Sequence, residues 1–208
     1  MKTTLLFTGL FLTALYPLAA QNIQPIDSLA GTEIAWASEA FAINLMADGI
    51  TTFENSGEDI RFELGTFAPG FDPRTATPEQ WLTSWIVLQG AEYDMVDQQF
   101  IQTTTLYDNA APFLTGGQAF IWGYNTKDIN AGAEWLIVGA PSWTWPASTS
   151  PLPTTFSMSD ALQADVIFGS VNQSGHHMQF QAVTPVPEPG AMLLTAFTAM
   201  GYVLRRRR

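Results

Sequence analysis

Short segments of alternating apolar and polar residues run through the middle of the chain and predict β-strands. In residues 60–64, Ile60, Phe62 and Leu64 alternate with charged residues, so these three side chains are expected to face one core. An Asp48-Gly49 pair between two apolar segments is typical of a hairpin turn. The other strands are predicted at residues 41–46, 50–53, 100–106, 119–124, 134–138, 165–168 and 178–183. This spacing predicts a mainly β fold, an antiparallel β-sandwich with a jelly-roll-like or immunoglobulin-like strand order.

One short helix is predicted at residues 78–88. Thr77 fits the N-cap, Pro78 the first helical position and Gln80 the third. An apolar stripe follows, and Gly90 is suited to end the helix. The stripe consists of Trp81, Leu82, Trp85, Ile86 and Leu88. We expect the helix to pack over one sheet, with its tryptophans in the core.

The N-terminus has the three parts of a secretory signal peptide. Lys2 supplies a positive charge, residues 5–15 are apolar, and residues 18–20 end in small side chains before Gln21. Residues 1–20 are therefore predicted to form a signal helix that is cleaved after Ala20. A permanent N-terminal anchor is less favoured because the apolar segment is short.

The C-terminus combines a proline-rich motif, an apolar segment and a basic end. Pro187, Glu188 and Pro189 interrupt any helix and present the glutamate in extended backbone. Residues 191–204 are mostly apolar, but as a helix they span only about 21 Å of the roughly 30 Å hydrocarbon core. Four arginines then favour the cytoplasmic side: Arg205, Arg206, Arg207 and Arg208. An ordinary C-terminal anchor, or an amphipathic helix with a basic flank, remains the alternative.

These C-terminal residues resemble the PEP-CTERM sorting signal, which an exosortase recognises in Gram-negative bacteria that make exopolysaccharide. The resemblance implies that Pro187, Glu188 and Pro189 are the recognised motif, that residues 191–204 anchor the chain transiently in the inner membrane, and that the arginines stop its export. It also implies cleavage near the motif and delivery to the cell surface or extracellular matrix. It covers only residues 186–208 and so implies a destination, not the activity of the upstream domain.

The chain is therefore predicted to have three parts: a signal peptide (1–20), one exported β-rich domain (21–184) and the sorting signal (185–208). The exported domain has only three basic residues, Arg61, Arg74 and Lys127, against 18 acidic ones, a formal charge of −15. Such a charge argues against nucleic acid or anionic lipid as a partner of this domain. Without cysteine, its stability must come from the hydrophobic core alone.

No familiar catalytic motif is present. The chain has no cysteine nucleophile and no Gly-x-Ser-x-Gly sequence. His176 and His177 are adjacent, so in extended backbone their side chains would point in different directions, and we favour a surface loop over a metal site. No metal site and no cofactor are predicted. A weak calcium hypothesis rests on two acidic groups, for which solvated loops are favoured: Glu58 with Asp59, and Glu92 with Asp94 and Asp97.

Aromatic residues give the remaining candidate site. Trp122 and Tyr124 share one face of a predicted strand with Phe120, and Trp143 and Trp145 share a face if residues 143–145 are extended. Exposed, these four candidates for glycan contact, Trp122, Tyr124, Trp143 and Trp145, would stack on sugar rings. Buried, they would belong to the core, which we favour. The loop at residues 141–153 is expected to be ordered because it contains two tryptophans.

Two function classes follow. The first is a non-enzymatic surface or extracellular-matrix protein associated with exopolysaccharide. The second is a secreted carbohydrate-active enzyme that uses a pair of carboxylates, about 5 to 9.5 Å apart in a cleft. The absence of a compact catalytic signature favours the first class.

Overall fold

A computed structural model of the protein describes residues 31–172 and 177–184. The predicted signal peptide and the predicted C-terminal membrane helix both lie outside these residues. None of the helices among these residues has the length and the apolar character that a membrane span requires.

The described residues are mainly β, as predicted, with one α-helix and three short 3-10 helices among them. In chain order the elements are β1 (Thr32–Ala37), β2 (Arg61–Phe67), α1 (Pro78–Ser84), β3 (Trp85–Glu92), β4 (Ile101–Leu106), β5 (Phe120–Tyr124), β6 (Glu134–Val138), β7 (Thr154–Ser157), β8 (Val166–Phe168), β9 (Ser170–Asn172), β10 (His177–Gln179) and β11 (Gln181–Ala182).

The strands form two main sheets. The three-stranded sheet has the order β4-β1-β7, and the six-stranded sheet has the order β11-β6-β5-β2-β3, with β8 also pairing with β6. Strands β9 and β10 form a separate antiparallel pair. Neighbours in the six-stranded sheet are antiparallel. The parallel pairing of β1 with β7 departs from the predicted all-antiparallel arrangement. The predicted jelly-roll-like or immunoglobulin-like strand order stays a prediction.

A hydrophobic core contains side chains from both main sheets. Ile34 and Trp36 come from β1, whereas Phe62 and Leu64 come from β2, and all four are fully buried. Ile60 belongs to the same core, so the three residues predicted to face inward do so. The shared core agrees with a sandwich-like arrangement of the two sheets.

The other face of the six-stranded sheet carries a second hydrophobic core. Trp122 of β5 and Trp135 of β6 are buried there, and Trp81 of α1 packs against them, 6.5 Å from the Trp135 ring. The indole nitrogen of Trp81 donates a hydrogen bond of 2.8 Å to the carbonyl oxygen of Pro73. The helix thus covers one sheet, as predicted, and both faces of the six-stranded sheet are partly covered.

The predicted C-terminal half of the helix is wrong. Helix α1 begins as expected, with Gln80 Oε1 accepting a 2.9 Å hydrogen bond from the Thr77 amide, but it ends at Ser84. From Trp85 the chain is extended and pairs with β2 through Glu92, so Gly90 lies in a strand. The apolar residues at positions 85, 86 and 88 are compatible with the repeat of a helix and also with that of a strand. Pairing with β2 decides between the two, and the β-branched Ile86 and Val87 suit a strand.

Asp48 and Gly49 form the predicted turn, but the strands predicted on either side of it, at residues 41–46 and 50–53, are wrong. Gly49 has a φ of 70°, and the Asp48 carboxylate accepts hydrogen bonds from the Ile50 and Thr51 amides. The Thr51 hydroxyl donates a third, and these bonds lower the pKa of Asp48. The flanking segments share a single antiparallel bridge, Leu45 to Thr52. The other predicted strands are close to those observed, except that residues 178–183 divide between β10 and β11.

Candidate functional site

The outer face of the six-stranded sheet contains a polar cluster around Glu63. Because Phe62 and Leu64 face the core between the sheets, strand alternation places Glu63 on the opposite face. Its Oε2 accepts a 2.7 Å hydrogen bond from the Trp85 indole, and its Oε1 accepts a 2.8 Å bond from the Tyr124 hydroxyl. The Lys127 ammonium donates to Oε2 in an ion pair. The side chain of Glu63 is only 14% exposed, so these three donors compensate its burial.

Aromatic rings position the ammonium of Lys127. Its Nζ lies 5.0 Å from the centroid of the Trp122 ring and 4.9 Å from that of Tyr124, within the range of cation–π attraction. Burial, followed by the hydrogen bond to the Glu63 carboxylate, raises the pKa of Tyr124 above its ordinary value. The tyrosine hydroxyl therefore keeps its proton and acts as a donor to Glu63 at neutral pH.

A groove of about 480 Å³ adjoins this cluster, between the ends of β2, β3, β4 and β5. Its lining residues are Arg61, Phe62, Glu63, Gly90, Ala91, Glu92, Ile101, Gln102 and Tyr124. The volume is within the range of small-ligand sites in proteins. Hydrogen-bond donors and acceptors both line it, so it suits a ligand that carries both kinds of group.

Arg61 is fixed at the rim of the groove. Its Nε and one terminal nitrogen donate to Asp59 Oδ2 at 3.0 and 2.8 Å, and Glu92 Oε1 lies 3.8 Å from that terminal nitrogen. The hydrogen bond and the charge of Asp59 raise the pKa of Arg61, so the guanidinium stays charged. The side chains are about half or more exposed, so their pairing orients the arginine more than it stabilises the fold.

Three of the four aromatic candidates for glycan contact lie in the core. Trp122, Trp143 and Trp145 are 0%, 1% and 1% exposed. Trp122 packs against Trp85 and Trp135, and the other two indoles pack on Phe156. The stacking hypothesis therefore does not hold for these three indoles, because no ring face is available to a sugar. The core interpretation, which the sequence favoured, describes them.

Tyr124 is the fourth candidate and lies at the groove. It is partly exposed and lines the cavity with its neighbour in register, Arg61. Sequence reasoning missed Glu63, Arg61 and Lys127. Two signals could have found them: Arg61 and Glu63 alternate with inward apolar residues, and Arg61 and Lys127 are two of only three cations in residues 21–184.

Three of the five acidic residues proposed for calcium, Asp59, Glu92 and Asp94, have other partners. Asp59 and Glu92 lie against Arg61, as described above, and Asp94 Oδ1 accepts hydrogen bonds from the Val96 and Asp97 amides. Across residues 31–172 and 177–184, no group of three or more His, Asp or Glu side chains could hold a metal ion. His177 lies in β10 and not in the predicted surface loop, and His176 is outside the described residues.

Comparison with protein families identifies the C-terminus. Residues 185–208 match the family model of the PEP-CTERM protein-sorting motif. The match includes the predicted motif Pro187, Glu188 and Pro189 and the terminal arginines, all outside the described residues. No curated protein and no solved structure matches the chain. The motif implies recognition by an exosortase, export with transient processing at the membrane, and delivery to the cell surface.

Proposed function

We propose that this protein is a non-enzymatic component of the cell surface or extracellular matrix of a Gram-negative bacterium, where it associates with exopolysaccharide. The PEP-CTERM motif at residues 185–208 carries the proposal, since it directs the chain to the surface. The strongly acidic exported domain supports a soluble, hydrated existence outside the cell. In this proposal the tail is removed when an exosortase acts near Pro187, Glu188 and Pro189.

The chemistry of the groove supports a binding role over hydrolysis. Glu63 and Glu92 both line the groove, which is the observation that favours a carboxylate-pair glycosidase. However, both oxygens of Glu63 already accept hydrogen bonds, from Trp85, Tyr124 and Lys127. A carboxylate engaged in this way is poorly placed to attack a sugar or to activate water. A carboxylate-pair glycosidase is therefore the second candidate function.

Processing is tested in the native host with the full-length gene. Intact mass spectrometry of the surface protein should give a mass that begins near Gln21 and lacks Arg205–208. Glu188→Ala should retain the precursor in the inner membrane, whereas Glu79→Ala, an exposed glutamate in α1, serves as the matched control and should reach the surface normally. Normal release of the Glu188→Ala protein would contradict sorting through this motif.

The absence of hydrolysis is tested with the same surface protein. Incubation with exopolysaccharide purified from the host should release no new reducing ends, and the polymer should be recovered with the processed protein by co-sedimentation. Continuous release of reducing ends by the wild-type protein, but not by Glu92→Gln, would show that the protein is a glycosidase and would contradict the proposed binding role.

A further inference from the structure

Gly90 lines the groove and has no side chain to occupy it. It lies in register opposite Glu63 in the pairing of β2 with β3. A Cβ atom placed on Gly90 would meet nothing nearer than the Phe62 carbonyl oxygen at 3.9 Å. By contrast, a Cβ on Gly123 of β5 would lie 2.5 Å from the Phe62 ring. Gly90 also does not adopt a positive φ. Neither packing nor backbone conformation therefore requires glycine at position 90.

A glycine inside a strand commonly marks a β-bulge, a tight bend, or a place where a ligand or another backbone approaches the sheet closely. The register shift in the pairing of β2 with β3 falls between Leu64 and Gly65, beyond the Glu63–Gly90 pair, so Gly90 is not the bulged residue. Glycine also weakens a strand, because it loses more conformational freedom on folding than other residues and has no side chain to pack. The lack of a side chain at Gly90 leaves space between Arg61, Glu92 and Tyr124, and these polar side chains border that space. The observations point to a ligand that lies directly on the sheet.

We propose that this groove binds a stretch of uncharged, hydroxyl-rich polysaccharide. The inference rests on the proposed function, which places the protein among exopolysaccharides, and it names the class of sugar. Sugar hydroxyls both donate and accept hydrogen bonds. The guanidinium of Arg61 and the amide of Gln102 offer donors, whereas the Glu92 carboxylate offers acceptors.

The charges around the groove select against acidic sugars. Arg61 and Lys127 are paired with Asp59 and Glu63, and Glu92 adds a further negative charge. The whole of residues 21–184 carries a formal charge of −15. A polymer of uronic acids would therefore meet repulsion, whereas a neutral polymer meets none. Binding of the neutral polymer should depend little on salt, because no charge is neutralised.

The test uses processed protein purified from the host surface and the host's own exopolysaccharide. Anion exchange separates the polymer into an unretained neutral fraction and a retained acidic fraction, and affinity electrophoresis through gels containing each fraction measures binding. The wild type should be retarded by the neutral fraction, equally at low and high salt. Retardation by the acidic fraction alone would overturn the inference while leaving exopolysaccharide association intact. Retardation by neither would overturn the inference and count against that association, whereas delivery to the surface is judged separately by mass spectrometry.

Two variants of the same strand assign the binding to the groove. Gly90→Val adds a side chain above the sheet, where its Cβ atom meets nothing nearer than 3.9 Å, and should weaken binding about tenfold or more. Because valine favours a strand more than glycine does, the melting temperature should be equal to or above that of the wild type. Val87→Thr, at an exposed position outside the groove lining, is the matched control and should bind like the wild type. Equal binding by Gly90→Val and the wild type would place the ligand elsewhere. Digestion of the neutral fraction with protease and nuclease should leave retardation unchanged. Loss of retardation after this digestion would identify a non-sugar partner and overturn the proposal.

Discussion

Replacement of Trp143 and Trp145 by alanine tests whether these indoles hold the core together. Both are 1% exposed, and both pack on Phe156 of β7. The ring centroid of Phe156 lies 6.2 Å from that of Trp143 and 5.9 Å from that of Trp145. Truncation of a buried tryptophan to alanine costs about 3–5 kcal/mol. Since about 1 kcal/mol shifts the melting temperature of a domain of this size by roughly 2–4 °C, each single variant should melt about 6–20 °C lower.

The double variant should lose most of the stability of the domain. The two costs sum to about 6–10 kcal/mol, against a total of about 5–15 kcal/mol for a typical domain. The shared contact with Phe156 makes strict additivity unexpected. Thermal melting followed by near-ultraviolet circular dichroism measures both the shift and the loss of fixed aromatic packing. A double variant that melts like the wild type but no longer binds polysaccharide would refute the core assignment and restore the stacking hypothesis.

Phenylalanine replacements separate packing from hydrogen bonding. Among the described residues, the Trp145 indole nitrogen has no hydrogen-bond partner, whereas that of Trp81 donates to Pro73 O at 2.8 Å. Trp81→Phe therefore leaves a buried carbonyl oxygen without its donor, at a cost of about 1–3 kcal/mol beyond the lost volume. Trp145→Phe removes a buried donor that had no partner, so it should be the milder change in urea denaturation. A larger loss of stability in Trp145→Phe than in Trp81→Phe would contradict this prediction.

Three further predictions concern single side chains. Glu63→Ala leaves three donors without their acceptor and should lower the free energy of unfolding in urea by about 1–3 kcal/mol, whereas Glu79→Ala should change it little. Burial raises the pKa of Tyr93 to about 12 from 10.0. As pH rises, the Tyr93 hydroxyl therefore loses its proton in the unfolded state before it does so in the folded state, and the free energy of unfolding should fall from about pH 10 to about pH 12. A Tyr93→Phe protein whose stability falls as steeply over that range would exclude this cause. Phe41 is 69% exposed with a φ of 57°, so Phe41→Asn should keep or raise the melting temperature and Phe41→Val should lower it.

Local sequence determined the elements whose pattern had a single interpretation. Strict alternation at residues 60–64 fixed which face of β2 is buried, and the apolar segment at 134–138 coincides with β6. The start of α1 follows from Thr77, Pro78 and Gln80, because capping depends on neighbouring residues only. The PEP-CTERM motif was readable for the same reason, since its parts lie in order in one short segment.

Tertiary pairing decided what local pattern left open. Residues 85–92 have an apolar pattern that suits a helix as well as a strand, and only pairing with β2 makes them β3. Strand β1 was not predicted, because its place depends on partners about 70 and 120 residues away along the chain, in β4 and β7. Burial of Trp122, Trp143 and Trp145 likewise depends on the elements that pack over them. The groove brings together residues from β2, β3, β4 and β5, and the gap at Gly90 exists only once these strands are neighbours. Contiguous residues thus indicate the destination of this protein, whereas its candidate binding surface is formed by contacts between residues that are far apart in the sequence.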